Sequence, residues 1–241
     1  MLKDWQVHFI LNSSIMEMMN PENEILRVHR SKDQARLSYD RLSRWYDLLA
    51  GIAEKKYKIA GLEMLNPQPG EHILEIGFGS GQILLPLAES VGSSGAVAGI
   101  DLSPGMLSVA EKKLKRANLS NRVTLTSGDA SQLPYTDASF ETIYSSFTLE
   151  LFDTPEIPVV LAECRRVLKP DGRICIVAMA KRPAPNLMTR LYEWSHTQFE
   201  TYADCRPIYP AQSLADAGFQ VENIRQMSMF GLPVDVVLAG K

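Results

Sequence analysis

Apolar positions change period along this 241-residue chain, and the changes outline its elements. Between residues 70 and 180, short apolar runs alternate with amphipathic stretches. Glu71–Ile76, Ala96–Asp101, Val123–Ser127, Phe140–Ser145 and Arg173–Met179 read as buried strands, being short, apolar and rich in β-branched residues. Gln82–Ser90, the stretch after Ser103-Pro104, and Pro155–Leu168 carry the helical period. Ser103 is a good cap, and Pro104 suits the first helical position. Pro86 lies close enough to a helix start to be tolerated. Lys169-Pro170-Asp171-Gly172 marks a turn before the fifth strand. Strands separated by helices imply right-handed crossovers and a mostly parallel sheet with helices on both faces.

Both ends depart from this rhythm. Residues 1–60 look helical and are rich in Met, Tyr and charged residues, which suggests an extension or lid. Residues 61–241 then form the main domain, with an inserted cap over 183–212 that opens on a proline break and continues as one helix. Phe219–Met227 and Pro233–Leu238 are apolar runs joined through Phe230-Gly231-Leu232, too close together for a helix between them. They should pair as an antiparallel hairpin at the sheet edge. The expected fold is therefore α/β and Rossmann-like: a seven-stranded, mostly parallel sheet, a C-terminal antiparallel hairpin and an N-terminal helical extension.

Composition narrows the function. A net charge of −3 argues against a nucleic-acid surface, which needs a basic stripe. Lys112-Lys113-Leu114-Lys115-Arg116 reads as the solvated face of one helix. The three cysteines, Cys164, Cys175 and Cys205, are far apart, and the histidines stand at no ligand spacing. Neither a disulfide scaffold nor a structural metal is expected. No apolar run approaches the ~18 residues of a membrane span, and the N-terminus lacks the features of a signal peptide. These features point to a cytoplasmic protein acting on a small molecule. Met16, Met18 and Met19 suggest a packing stripe or homodimer contact, with peripheral membrane contact as the lesser alternative.

The chemistry concentrates at strand ends. Gly77-Phe78-Gly79-Ser80-Gly81 follows the first strand and precedes a helix, so the backbone can turn sharply and bring N–H groups to a ligand. A dinucleotide fingerprint would need glycine where Gln82 stands, and a phosphate-binding loop would need Gly-Lys-Ser/Thr. The turn therefore suits a nucleoside rather than a pyrophosphate. Asp101 ends the second strand, placed to accept both ribose hydroxyls. Asp129 ends the third, placed to accept from an adenine amino group, with the Ala130 N–H beside it.

Taken together, Leu-Glu-Ile-Gly-Phe-Gly-Ser-Gly, Gly-Ile-Asp-Leu-Ser-Pro-Gly-Met-Leu, Gly-Asp-Ala-Ser-Gln-Leu-Pro-Tyr and Arg-Val-Leu-Lys-Pro-Asp-Gly-Arg resemble the class I S-adenosylmethionine-dependent methyltransferases. The resemblance spans roughly residues 40–241. Tyr46-Asp47 brings it closest to the ubiquinone/menaquinone biosynthesis C-methyltransferases. It implies S-adenosylmethionine as cofactor, S-adenosylhomocysteine as product, and no metal. Gly77, Gly79 and Gly81, with Phe78, would pass the methionine part and ribose. Glu75 would hold the turn and, through water, the amino group. Met106 and Leu102 would lie by the adenine that Asp129 and Ala130 read. Ser145, Ser146 and Phe147 would face the methionine portion, and Tyr46 would close the pocket. Two departures concern the acceptor side. The quinone enzymes carry an acidic residue at the end of the fifth strand, where this chain has Val177-Ala178-Met179. The polar pair those enzymes carry after the fourth strand is replaced by Thr148-Leu149-Glu150-Leu151.

Methyl transfer is an in-line displacement, so alignment and desolvation are the protein's main contributions. Tyr39, Trp45, Phe147, Tyr192, Phe199, Arg206 and Tyr209 are candidate substrate contacts, and His196, Tyr46 and Glu150 candidate catalytic groups. His196 suits a general base by its ordinary pKa near 6.5. Arg206 suits an anionic substrate group or a structural salt bridge equally. An apolar or aromatic, quinone-like acceptor is the first expectation. The alternatives are an amine or hydroxyl of a lipid or other metabolite, and a non-catalytic S-adenosylmethionine-binding regulatory module.

Overall fold

The computed structural model describes residues 25, 27–28, 31–42, 51–184, 187–198 and 205–241; of residues 41, 42, 52 and 193–198 only the backbone is described. A seven-stranded sheet forms the centre: β1 (His72–Ile76), β2 (Ala96–Asp101), β3 (Val123–Ser127), β4 (Phe140–Ser146), β5 (Leu168–Met179), β6 (Gln220–Met229) and β7 (Leu232–Gly240), in the order β3-β2-β1-β4-β5-β7-β6. The first five strands run parallel, and β7 is antiparallel to both β5 and β6. The C-terminal hairpin expected from its short apolar spacing is present. Its inner strand, β7, completes the sheet against β5, and its outer strand, β6, is largely exposed as an edge.

Helices α1 (Lys32–Leu42) and α2 (Ile52–Leu65) precede the sheet. They are followed by α3 (Leu84–Val91), α4 (Pro104–Arg116), α5 (Ile157–Val167), α6 (Leu187–Gln198) and α7 (Pro210–Asp216). One core packs α2, α3 and α4 against one face of the sheet, and a second packs α5 and α7 against the other. The central strands are covered on both faces, so β1 and β4 are buried almost throughout. Residue 60, at the expected edge of the N-terminal extension, falls inside α2, which lies directly on the sheet. At Gly61 an added Cβ would collide with the side chains of Val177 and Tyr144.

Three details differ from the pattern-based expectation. The helix after the glycine turn begins at Leu84 rather than Gln82, and residues 79–82 form turns. Pro86 then sits in the first helical turn, where its missing N–H has no helical partner to lose. The Lys169–Gly172 turn lies within β5: the register jumps from Phe140↔Leu168 to Thr142↔Arg173, so residues 169–172 loop out against Glu141 alone. Finally, the C-terminal insertion holds two helices, because Pro207 and Pro210 break the second from the first and Pro210 begins α7.

Candidate functional site

The strands β1, β2, β3 and β4 end on one rim, and a cleft opens there. Its wall begins with the turn after β1. Gly77 has φ +70°, and an added Cβ would fall on the Thr148 side chain. Gly79 has φ +51°, and an added Cβ would meet nothing within 4 Å. Gly77 thus lets two strand ends approach, while Gly79 leaves room beside the backbone for a ligand. Gly81 differs. It does not line the cleft, and its Cβ position is crowded by Ala110 and Leu84, so it serves the contact between α3 and α4.

Asp101 binds the turn to the second strand. Its carboxylate accepts from the Gly79 N–H at 2.8 Å and from the Ser103 N–H at 2.9 Å. Burial raises its pKa, and those two hydrogen bonds offset part of the rise. Ser103 caps α4 as its position predicts, its hydroxyl accepting from the Met106 N–H at 3.0 Å. That cap is shared with the N-terminal segment. Asp40 accepts from the Ser103 hydroxyl at 2.5 Å and from the Gly105 N–H at 2.9 Å. Met106, Leu102, Phe78 and Ala130 all line the cleft.

Asp129 already holds a cation. Its Oδ2 accepts from Lys32 Nζ at 2.6 Å, and Lys32 also pairs with Glu156 at 2.6 Å. Burial pushes the Asp129 carboxyl up, but the hydrogen bonds from Lys32 and Ser131 and the charge of Lys32 together outweigh it, and the net shift is downward. The acceptor that sequence reasoning reserved for an adenine amino group therefore faces a lysine of α1. Arg27 grips Asp153 through two nitrogens at 2.6–3.1 Å, and the Val28 N–H reaches the same carboxylate at 3.0 Å. Residues 27–28 and 31–40 are held along one side of the cleft by these ion pairs and hydrogen bonds, and Tyr39 lines it from there. No pattern in the chain singled out Lys32, Arg27 or Asp40; their partners lie 63 or more positions away.

At the β1–β4 end the cleft is lined by buried polar groups. Glu75 is 2% exposed, and its Oε2 has no hydrogen-bond partner among the described residues. Burial raises its pKa to about 8, opposed by Lys58 and reinforced by Asp101. Lys58 lines the cleft from α2 and pairs with Glu54 at 2.8 Å. Ser146, Phe147 and Thr148 continue the wall, while Ser145 is buried behind it. Phe147 holds φ +51°, costly for a non-glycine residue. Its N–H donates to the Val177 carbonyl at 2.7 Å, and its ring meets Tyr57 edge to face at 6.3 Å.

The remaining candidates sort by what they touch. Glu150 is fully buried and does not line the cleft. Its Oε1 accepts from the Met179 N–H at 3.0 Å, its Oε2 has no partner among the described residues, and burial raises its pKa to about 8. The carboxyl absent from the end of β5 in sequence is thus supplied there by a neighbouring segment. Arg206 is also fully buried, donating to the Glu150 carbonyl at 2.6 Å and to the Thr154 hydroxyl at 3.2 Å; it braces two loops and meets no carboxylate directly among the described residues. The Tyr192 hydroxyl donates to the Cys205 carbonyl at 2.8 Å, and Tyr209 stands at the start of α7. On α6 Thr189 is buried, Met188 is half exposed, and Tyr192 is partly buried against the core. Trp45, Tyr46, Phe199 and the Met16–Met19 stripe lie outside the described residues, as does the His196 side chain. Among the described residues no cluster of three metal-ligating side chains forms, and no helix is long and apolar enough to cross a membrane.

Comparison with known proteins places this cleft in a family of folds. Residues 73–172 match the family profile described as a methyltransferase domain. A demethylmenaquinone methyltransferase of Lactobacillus johnsonii is 39% identical over 121 residues, which is 50% of this chain and 49% of that protein. The chain spans between about half and just under two thirds of the curated relatives of that name. Among solved structures, a S-adenosylmethionine-dependent methyltransferase from Aquifex aeolicus matches with a TM-score of 0.59 at 22% identity, covering 76% of this chain and 88% of that one. The [4+2]-cyclase SpnF matches with a TM-score of 0.72 at 19% identity, over 88% and 97% of the two chains. The fold is the one these solved structures share, and part of the chain resembles the demethylmenaquinone methyltransferases in sequence. The cyclase is a reminder that the fold by itself does not name a reaction.

Proposed function

We propose that this chain, with a class I methyltransferase fold and a methyltransferase domain at residues 73–172, is an S-adenosylmethionine-dependent methyltransferase. Its acceptor is a small apolar or aromatic molecule, a quinone-like ring first. The carrying observation is the cleft wall itself: Asp101 tied to the Gly79 N–H at 2.8 Å, an open position beside Gly79, and Asp129 on the next strand end. A nucleoside with an amino-acid arm fits this wall. The vacant space at Gly79 admits it, and the unpartnered Glu75 Oε2 calls for a hydrogen-bond donor.

Asp101 has lone pairs left for the ribose hydroxyls, Asp129 and Ala130 stand at the adenine edge, and Met106 and Leu102 flank it. When bound, S-adenosylmethionine supplies a methyl group made electrophilic by its sulfonium. The chain supplies alignment and a dry wall. Phe147, Leu151 and Phe152 line the acceptor-facing part of the cleft and keep water from it. Glu150 acts as a positioning residue, fastening the segment after β4 to the end of β5 through the Met179 N–H. Tyr46 and His196 keep the roles expected of them, pocket closure and proton acceptance, and residues 183–212 the role of a cap.

Two things favour the quinone-like acceptor: the curated relatives named demethylmenaquinone methyltransferases, and the aromatic and aliphatic lining of the cleft. The test is incubation with methyl-labelled S-adenosylmethionine and a panel of acceptors: a prenylated naphthoquinol lacking its ring methyl, a phospholipid amine, and a hydroxylated aromatic. Label in the naphthoquinol alone is the expected result. Label only in an amine or hydroxyl overturns the acceptor class, and no label in any fraction overturns the enzyme reading in favour of a binding module.

A further inference from the structure

The rim on which the cleft opens continues past β4. The hairpin of β6 and β7 turns there too, because Met179, the last residue of β5, pairs with Val234 near the start of β7. The turn is Phe230-Gly231, closed by the Met229↔Leu232 pair. Both residues have positive φ, +53° and +87°. A two-residue turn of that form suits Asn-Gly or Asp-Gly. Phenylalanine is strained in this backbone, and its ring is 79% exposed. The position gives up both backbone ease and burial, and reversing the chain requires neither sacrifice.

More apolar side chains stand beside the turn. Leu187 is 83% exposed, and Met188 and Leu191, on the same side of α6, are roughly half exposed. An added Cβ at Gly231 would touch Met188 at 3.4 Å, so the helix and the hairpin tip meet. Phe230, Leu187, Met188 and Leu191 thus form an apolar ridge on the rim beyond β5. Side chains this exposed protrude rather than line a groove.

The flanks of the ridge carry cations. Arg190 is exposed on α6. On α2 the Tyr57 hydroxyl donates to the Ser228 carbonyl at 2.5 Å, two residues before Phe230. Lys55 and Lys56 are exposed on that turn of α2, and Lys56 Nζ stands 5.0 Å from the centre of the Tyr57 ring. The acids of α2 and β7 are already paired: Glu54 with Lys58, Glu63 with Arg225, and Asp235 with Arg182.

We propose that this ridge docks the protein on the surface of an anionic lipid bilayer, with Phe230, Leu187, Met188 and Leu191 entering the interface and Arg190, Lys55 and Lys56 meeting the headgroups. A protein partner would need a groove to receive protruding side chains, whereas a bilayer accepts them without one. An aromatic ring and cations around an apolar patch suit that interface. Docking sets the rim of the cleft against the phase in which an apolar acceptor resides. That use of the ridge rests on the proposed acceptor; the contact itself does not.

The experiment is sedimentation of the full chain with vesicles of phosphatidylcholine, alone or mixed equally with phosphatidylglycerol. Wild type should bind the mixed vesicles about 10-fold more tightly than the neutral ones, and high salt should remove that preference. Phe230→Asn supplies the residue that the turn favours. It should melt no lower than wild type, yet bind the mixed vesicles about 10-fold more weakly. Leu187→Gln combined with Leu191→Gln should weaken binding similarly without altering the hairpin. Failure of wild type to sediment with either vesicle overturns the docking and leaves the methyltransferase reading standing. Binding undiminished in both variants overturns the ridge as the contact. A wild-type dimer that Phe230→Asn converts to a monomer in ultracentrifugation assigns the ridge to a second copy and overturns the docking as well. Ridge-dependent sedimentation without methyl transfer to any acceptor upholds the docking and sinks the proposed activity.

Discussion

The two halves of the cleft are built by different means. Around β1, β2 and β3 the wall is backbone and strand-end carboxylate: the turn at Gly77–Gly79, the Asp101 carboxylate on the Gly79 and Ser103 N–H groups, and Asp129 one strand further out. Beyond β4 the wall is backed by buried polar side chains that do not themselves line the cleft: Glu150 on the Met179 N–H, and Arg206 on the Glu150 carbonyl and Thr154. The first half presents groups to a ligand. The second uses its groups to fix loops, and leaves apolar and aromatic surface to line the cleft. A cofactor shared by many enzymes can be met by fixed backbone geometry, whereas an acceptor pocket is a local arrangement that differs from one enzyme to the next.

Arg206 is where breaking this contrast should cost most. If it is a brace, Arg206→Ala removes a fully buried side chain and strands the Glu150 carbonyl, costing about 3 kcal/mol of stability. Thermal unfolding should then fall by roughly 6–12 °C, while the folded fraction keeps its affinity for S-adenosylmethionine. A stable Arg206→Ala protein with impaired acceptor binding would return Arg206 to the substrate site. On the other half, Asp101→Ala should weaken cofactor binding about 100-fold by calorimetry, since charged hydrogen bonds to the ribose and the anchor of the Gly79 turn are lost together. Unchanged affinity would remove the ribose assignment.

A smaller effect separates the halves by pH. Glu75 and Glu150 both have pKa values raised to about 8 by burial, from an ordinary 4.5. The folded protein therefore holds protons that the unfolded chain releases, so stability is full below about pH 4.5, declines as pH rises toward 8, and is level above. In the absence of cofactor the melting temperature should fall by several degrees between pH 5 and pH 8. Glu150→Gln should flatten part of that slope without changing cofactor affinity, whereas Glu75→Gln should flatten it and weaken binding. Identical pH profiles in all three proteins would contradict the buried-acid description. The smallest expected change is at Lys32. Lys32→Met frees Asp129 for the adenine edge and should tighten cofactor binding by about 2–5-fold, with little effect on stability because the ion pair is partly exposed. Weaker binding instead would make Lys32 a wall of the adenine site rather than a competitor for it.

The same division decided what could be read without a structure. The glycine turn, the strand ends at Asp101 and Asp129, and the Ser103 cap each depend on residues within a few positions of one another, and all four occur where the pattern put them. The parallel core and closing hairpin followed from run length and spacing. What escaped was non-local: Lys32 reaches Asp129 across 97 positions, and Arg206 reaches Glu150 across 56. Glu150 and Arg206 drew attention as charged residues near expected loops. Charge says nothing about burial, and both proved to point inward. Gly81 shares the spacing of its neighbours, with φ +80° and its Cβ position crowded by Ala110, a packing constraint that its spacing does not reveal.

The most direct test of the account is titration of the wild-type chain with S-adenosylhomocysteine and, in parallel, with NAD. One-to-one binding of S-adenosylhomocysteine, with no heat from NAD, is the predicted result. Binding of NAD, or silence with both, would contradict a cleft built for a nucleoside carrying an amino-acid arm.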